Sequence, residues 1–158
     1  MVEAEERPIV QLNGISKFYK SRASFFNASA ESVTALKNIS LEIFKGEIFG
    51  LVGQSGSGKT TMGRLVVKLE NPVEGSIVLE GQEVNRLKGR ELKNFRMKAQ
   101  MIFQDPYQSL NPHLSISDTI LEPLAIHGIA TRQERRKKVV KSLESVGLTP
   151  AIDYMNRY

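Results

Sequence analysis

Residues 47–61 read Glu-Ile-Phe-Gly-Leu-Val-Gly-Gln-Ser-Gly-Ser-Gly-Lys-Thr-Thr, and this stretch decides the fold class. Glu47 to Val52 is a continuous apolar run, the type of strand buried on both faces of a parallel sheet. From Lys59 to Leu69 the spacing becomes helical, with Met62, Leu65, Val66 and Leu69 on one face. Between the two lies Gly53-Gln54-Ser55-Gly56-Ser57-Gly58-Lys59-Thr60, which fits G-x-x-x-x-G-K-[ST] in the strand–loop–helix setting that the motif requires. Each residue type has a reason. Glycines at 53, 56 and 58 let the backbone curl so that successive N–H groups face phosphate oxygens. The positive end of the following helix adds to the same focus. Lys59 brings a cation to the β- and γ-phosphates, the Thr60 hydroxyl can ligate Mg²⁺, and Thr61 can supply a hydroxyl and N–H to the α-phosphate. Such loops take ATP and GTP alike, so the choice of base lies elsewhere.

Outward from this loop, residues 9–13 (IVQLN) read as a short strand, and residues 20–35, rich in Ser and Ala, as a loop or hairpin insertion. Leu36 to Phe44 alternates, with Leu41 and Ile43 in step with Ile39, and Lys45-Gly46 supplies a turn. After a turn at 71–75 the pattern predicts a strand over 76–79, a short helix around 91–97 and a strand over 99–103. Residues 104–112 (QDPYQSLNP) are too rich in turn formers for regular structure. Ser115-x-x-Asp118 and Thr131-x-x-Glu134 resemble capping boxes opening helices near 117–127 and 132–146, the second with Val139, Val140, Leu143 and Val146 inward. Strands first and helices last make this an α/β chain feeding a small helical layer.

Composition sets the outer limits. The chain has 158 residues, 41% hydrophobic and 25% charged, enough for a real core. With no cysteine there is neither a disulfide, nor a thiolate metal site, nor a cysteine nucleophile. The longest apolar stretch, Ile48 to Val52, falls far short of the ~20 residues of a membrane span, and the acidic start (Glu3, Glu5, Glu6) is unlike a secretory leader. These features lead to the expectation of a soluble, cytoplasmic chain. The net charge of +5 resides in two runs, Arg86–Lys98 and Arg132–Lys141, each with six basic residues and one acid. Solvated helix faces account for such runs, and docking beside an anionic leaflet or a membrane partner is the next reading. Nucleic acid is not expected as a partner, because neither run interleaves a series of stacking aromatics. His113 and His127 read as surface residues without a metal-ligand companion at useful spacing.

The stretch ALKNISLEIFKGEIFGLVGQSGSGKTTMGRL, followed by NPVEGSIVLEGQEV and MIFQDPYQSLNP, resembles the ATP-binding-cassette (ABC) transporter ATPases. The resemblance is strongest to the subunits of oligopeptide, dipeptide and nickel importers, through Gly63-Arg64, Ser109-Leu110-Asn111-Pro112 and Glu122-Pro123-Leu124, and it covers about residues 9–158. It implies the N-terminal part of an ABC-type P-loop domain. An antiparallel β subdomain and a partial RecA-like parallel core would occupy about 9–103, and the Q-loop with the start of a helical subdomain about 104–158. The implied ligands are ATP at Gly53–Thr61 and Mg²⁺ at Thr60 and Gln104. Tyr19 occupies the place of an adenine-stacking aromatic, with Phe18 as the alternative stacker. Gln104 would couple nucleotide state to the helical subdomain, and Asp105–Pro112 would form a groove wall for transmembrane permease subunits. A second ATP-binding subunit, the same or different, would complete the assembly at the inner face of the membrane.

The same resemblance implies that a signature loop, a Walker B strand with its Asp and catalytic Glu, a D-loop and a switch histidine follow GLTPAIDYMNRY in such proteins. These are not found in residues 1–158, so no catalytic residue is assigned and no meaningful ATP turnover is expected from these residues by themselves. The resemblance also implies that the missing strands lie beside the P-loop strand, so that Ile48–Val52 would have an unpaired apolar edge. Set against energising peptide or nickel uptake, the alternative function is a stand-alone, non-hydrolysing nucleotide-binding or regulatory module.

Overall fold

The computed structural model describes residues 7–20, 32–105, 107 and 110–158. They form two compact units, one running to Met101 and the other from Ile102 to Tyr158.

The first unit is built on a four-stranded antiparallel sheet of order β2-β1-β3-β4. Its strands are β1 (Val10–Lys20), β2 (Ser32–Ile43), β3 (Glu74–Leu79) and β4 (Gln82–Glu83). Leu12 sits centrally, opposite Leu41 on one side and Ile77 on the other. The expected strand over 9–13 thus runs on to Lys20, past a glycine that would ordinarily end it. Gly14 and Asn38 both adopt positive φ (60° and 49°), and the register shifts between Leu12 and Ile15. Two serines meet the displaced backbone donors: Gly14 N–H donates to Ser40 Oγ (2.9 Å) and Asn38 N–H to buried Ser16 Oγ (3.1 Å). The bulge also explains β2, where Ile39, Leu41 and Ile43 alternate as expected while Leu36, beyond Asn38, is buried out of step. Of the expected 20–35 loop, residues 32–35 belong to β2 and residues 21–31 lie outside the described residues.

Helices α1 (Lys59–Val66) and α2 (Gly89–Lys98) belong to this unit. Met62, Leu65 and Phe95 join Leu12, Ile15, Leu36 and Ile77 in one core. Leu65 is fully buried, so Leu65→Ala should cost about 2–5 kcal/mol of stability, read from the urea unfolding midpoint. A loss under about 1 kcal/mol would show that α1 is not anchored on this core. Leu69, expected inward, is half exposed because α1 stops at Val66 and Lys68 adopts positive φ (56°).

Two strand expectations fail. Residues 47–52 and 99–103 carry no sheet pairing, and Ile48 and Val52 are 99% and 94% exposed. A strand needs a neighbour to take its backbone hydrogen bonds, and among the described residues none runs beside residues 47–52. The apolar composition of a parallel-core strand is present, as the unpaired-edge expectation had it; the burial is not.

The second unit packs α3 (Ile116–Ile126), α4 (Arg132–Ser145) and α5 (Ile152–Met155) around Val139, Leu143, Ala151 and Met155. Thr131 and Glu134 form a reciprocal capping box, which holds the Glu134 carboxyl below its usual range through bonds from the Thr131 backbone and hydroxyl. Ser115 caps α3 by accepting from Asp118 N–H, but Asp118 returns its carboxylate to the Ser115 hydroxyl (2.6 Å), so the cap is one-sided. Val146, expected inward, is 70% exposed. α4 ends one residue earlier, and Gly147 at φ 83° turns the chain so that Leu148 N–H closes on the Leu143 carbonyl (3.0 Å).

Candidate nucleotide site

The loop over residues 53–58 delivers the chain into α1 through Gly58, which serves as N-cap at φ 91° with no side-chain cap. The first turn carries no acidic residue and no side-chain cap, so no side chain offsets the partial positive charge of its N–H groups. Lys59, the first residue of the helix, folds its ammonium back over the loop. Nζ donates to the carbonyls of Gly53 (2.7 Å) and Gln54 (2.6 Å) and to Ser57 Oγ (3.2 Å). All three ammonium donors therefore have acceptors on the loop itself. Ser57 N–H closes on the Gln54 carbonyl (3.2 Å), so this amide is engaged within the turn. Gln54, Ser55, Gly56 and Ser57 are exposed, Gly53 and Thr60 likewise, and Thr61 is half-buried.

Tyr19, near the end of β1, is half-buried beside the same helix. Its hydroxyl donates to Glu70 Oε2 (2.7 Å) and lies 3.3 Å from Thr61 Oγ1. Glu70 also pairs with Lys17 (3.2 Å) and Arg64 (3.6 Å), while the Lys17 ammonium stands 5.2 Å from the centre of the Tyr19 ring. Partial burial pushes the Glu70 carboxyl up, but hydrogen bonds from Tyr19 and Lys17 and the charges of Lys17 and Arg64 outweigh it and hold the carboxyl below its ordinary range. The sequence draws attention to Arg64 only as part of the Gly63-Arg64 pair, and to Glu70 and Lys17 not at all. Glu70 lies 51 residues from Tyr19, and no local pattern joins them. Phe18 is also half-buried, opposite Thr34 in the β1–β2 ladder.

Gln104 lies in the second unit, exposed, at the start of an irregular segment where Tyr107 N–H donates to Asp105 Oδ1 (3.1 Å) and His113 N–H to Asn111 Oδ1 (3.0 Å). Pro106, Gln108 and Ser109 of the expected groove wall lie outside the described residues. His113 is exposed as expected; His127 is half-buried, its Nδ1 enclosed with no hydrogen-bond partner among the described residues. No group of three or more His, Cys, Asp or Glu that could cage a metal occurs among the described residues. A Thr hydroxyl and a Gln amide oxygen are hard oxygen donors that fit Mg²⁺ brought in on phosphates, not a metal held by protein ligands only.

An uncapped helix opening onto a glycine loop, with a lysine folded across it and an antiparallel sheet packed alongside, defines a P-loop domain of the α/β class. The model of the ABC transporter family matches residues 36–156, and the chain belongs to that family. It is 47% identical over 136 residues to the oligopeptide transport ATP-binding protein OppF of Streptococcus mutans, covering 85% of this chain and 44% of that protein. It is 38% identical over 159 residues to the oligopeptide transport ATP-binding protein AppF of Bacillus subtilis, covering 100% and 48%. Among solved structures, an ATP-binding cassette dimer in a post-hydrolysis state with ADP and Pi aligns with a TM-score of 0.74 and 30% identity, covering 94% of this chain and 60% of that one. The chain thus spans about half the length of the curated relatives it matches. The expected fold class, the N-terminal part of an ABC-type domain, is the one found. No helix among the described residues is long and apolar enough to cross a membrane.

Proposed function

We infer that this chain is the nucleotide-binding portion of an ABC importer subunit, taking Mg-ATP at residues 53–61 to energise peptide or nickel uptake. The observation that carries the reading is Lys59, folded over the loop carbonyls at an uncapped helix start. Gly53, Gln54, Ser55, Gly56, Ser57, Gly58 and Lys59 would hold the β- and γ-phosphates, Thr61 the α-phosphate, and Tyr19 the base. Thr60 and Gln104 would meet the Mg²⁺, which neutralises phosphate charge when bound. The names of the relatives support peptides as the solute class. Permease subunits, engaged through residues 104–158, and a second ATP-binding subunit are the partners this reading calls for, at the inner face of the membrane. The exposed apolar run Ile48–Val52 fits a strand whose sheet neighbours belong to the half of the relatives' length that this chain does not span.

Stacking on one aromatic contributes ~1–3 kcal/mol, so Tyr19→Ala should weaken Mg-ATP binding by ~5- to 150-fold. Calorimetric titration checks this. Wild-type affinity in the variant would remove Tyr19 from the site and bring Phe18 forward.

A further inference from the structure

We propose that Glu70 is a positioning residue of the nucleotide site, holding the Tyr19 ring in register with the helix that carries the phosphate loop. The inference rests on the nucleotide-binding reading above and assigns a role to a residue outside the loop.

The geometry is specific. A tyrosine at the end of a strand has two free torsions, and a stacking platform is useful only if its plane is fixed before the base arrives. The Tyr19 hydroxyl is bound at 2.7 Å by Glu70, a residue that follows α1, and lies 3.3 Å from Thr61 within α1. One ring is thereby tied to the first turn of the helix, which would receive the phosphates, and to the segment that follows the helix. Glu70 is held in turn by Lys17 at 3.2 Å and Arg64 at 3.6 Å, so the carboxylate is braced from β1 and from α1. The Lys17 ammonium, 5.2 Å from the ring centre, stands over one face of Tyr19 and adds to the contacts that fix its plane. The two cations hold the Glu70 side chain in place, and the ring itself needs from it only an oxygen that accepts from the Tyr19 hydroxyl.

The role separates from a purely structural one by its ligand dependence. Inorganic tripolyphosphate engages the loop and Lys59 but has no base to stack. Positioning by Glu70 therefore affects ATP and leaves tripolyphosphate untouched, whereas damage to the fold affects both. The experiment is a calorimetric titration of the wild-type chain, Glu70→Ala and Glu70→Gln with Mg-ATP and with magnesium tripolyphosphate. The expected result is ATP binding weakened about 5- to 30-fold in Glu70→Ala, within the range that loss of one stacking contact allows. Tripolyphosphate binding should stay within about twofold, and Glu70→Gln, whose amide oxygen still accepts from Tyr19, should recover ATP affinity to within about threefold of wild type. Unchanged ATP affinity in Glu70→Ala, a parallel loss for both ligands, or a Gln variant as weak as the Ala variant overturns the assignment. A wild-type chain that binds neither ligand overturns instead the nucleotide reading on which it stands.

Discussion

Lys59→Ala should reduce Mg-ATP affinity at least ~100-fold, to the limit of calorimetric detection. Two effects combine. The substitution removes the full charge at the mouth of the helix, where a charge-assisted hydrogen bond contributes ~1.5–3 kcal/mol and two such bonds to phosphate oxygens exceed a hundredfold. It also removes the brace formed by the ammonium with the Gly53 and Gln54 carbonyls and Ser57 Oγ, leaving the exposed loop free to sample other shapes. Because Lys59 is bound to its own loop before any ligand arrives, the ligand must take over one or more of those acceptors' places. The net gain is therefore smaller than the isolated attraction would suggest, yet it is still the dominant electrostatic contribution in the loop. A variant that binds Mg-ATP within threefold of wild type would mean that the motif does not serve as a phosphate cradle.

The second large effect is on stability. Gly58 stands at φ 91°, and a Cβ added there would lie 2.5 Å from the Ala35 carbonyl oxygen and 2.8 Å from Leu36 Cδ2. The left-handed conformation costs a residue with a side chain ~1–2 kcal/mol, and the clash is with the backbone of β2, which cannot swing aside like a side-chain tip. Gly58→Ala should therefore lose about 3 kcal/mol in urea unfolding. Gly56 provides the control, since its φ is 81° but a Cβ would meet nothing within 4 Å. Gly56→Ala should cost only the ~1–2 kcal/mol of the conformation itself. Equal losses at the two sites would show that β2 does not press on the start of α1. The glycine that opens the helix thus has a packing duty of its own, against the backbone of β2.

The loop leading into α1 at Lys59 is legible in the sequence because its signal is local: glycines, lysine and hydroxyls fall within eight consecutive residues. The α4 cap was legible for the same reason, with Thr131 and Glu134 one turn apart. Residues 47–52 carry the composition of a parallel-core strand without its pairing, because such a strand is defined by its neighbours, and apolar composition reports a capacity for burial without supplying the partners. The run of β1 beyond Gly14 is not legible locally, because the bulge that carries the strand onward depends on Asn38 and Ser40 of β2 meeting it across the ladder. At Val146 a local signal existed: Gly147, just beyond the last helical turn, marked the stop more reliably than the apolar spacing that ran through it. The Glu70 anchor could not be read, because its partners Lys17 and Tyr19 lie on a distant strand and nothing in KLENPVEG distinguishes a bracing carboxylate from a solvated one.

The central claim, that residues 53–61 receive the phosphates of Mg-ATP, is tested most directly by following backbone amide resonances while Mg-ATP is titrated into the protein. The account predicts that the largest shifts fall on Gly56, Gly58, Lys59, Thr60 and Thr61, with saturation that disappears in Lys59→Ala. Saturable shifts clustered elsewhere, with the loop amides unmoved, would contradict it.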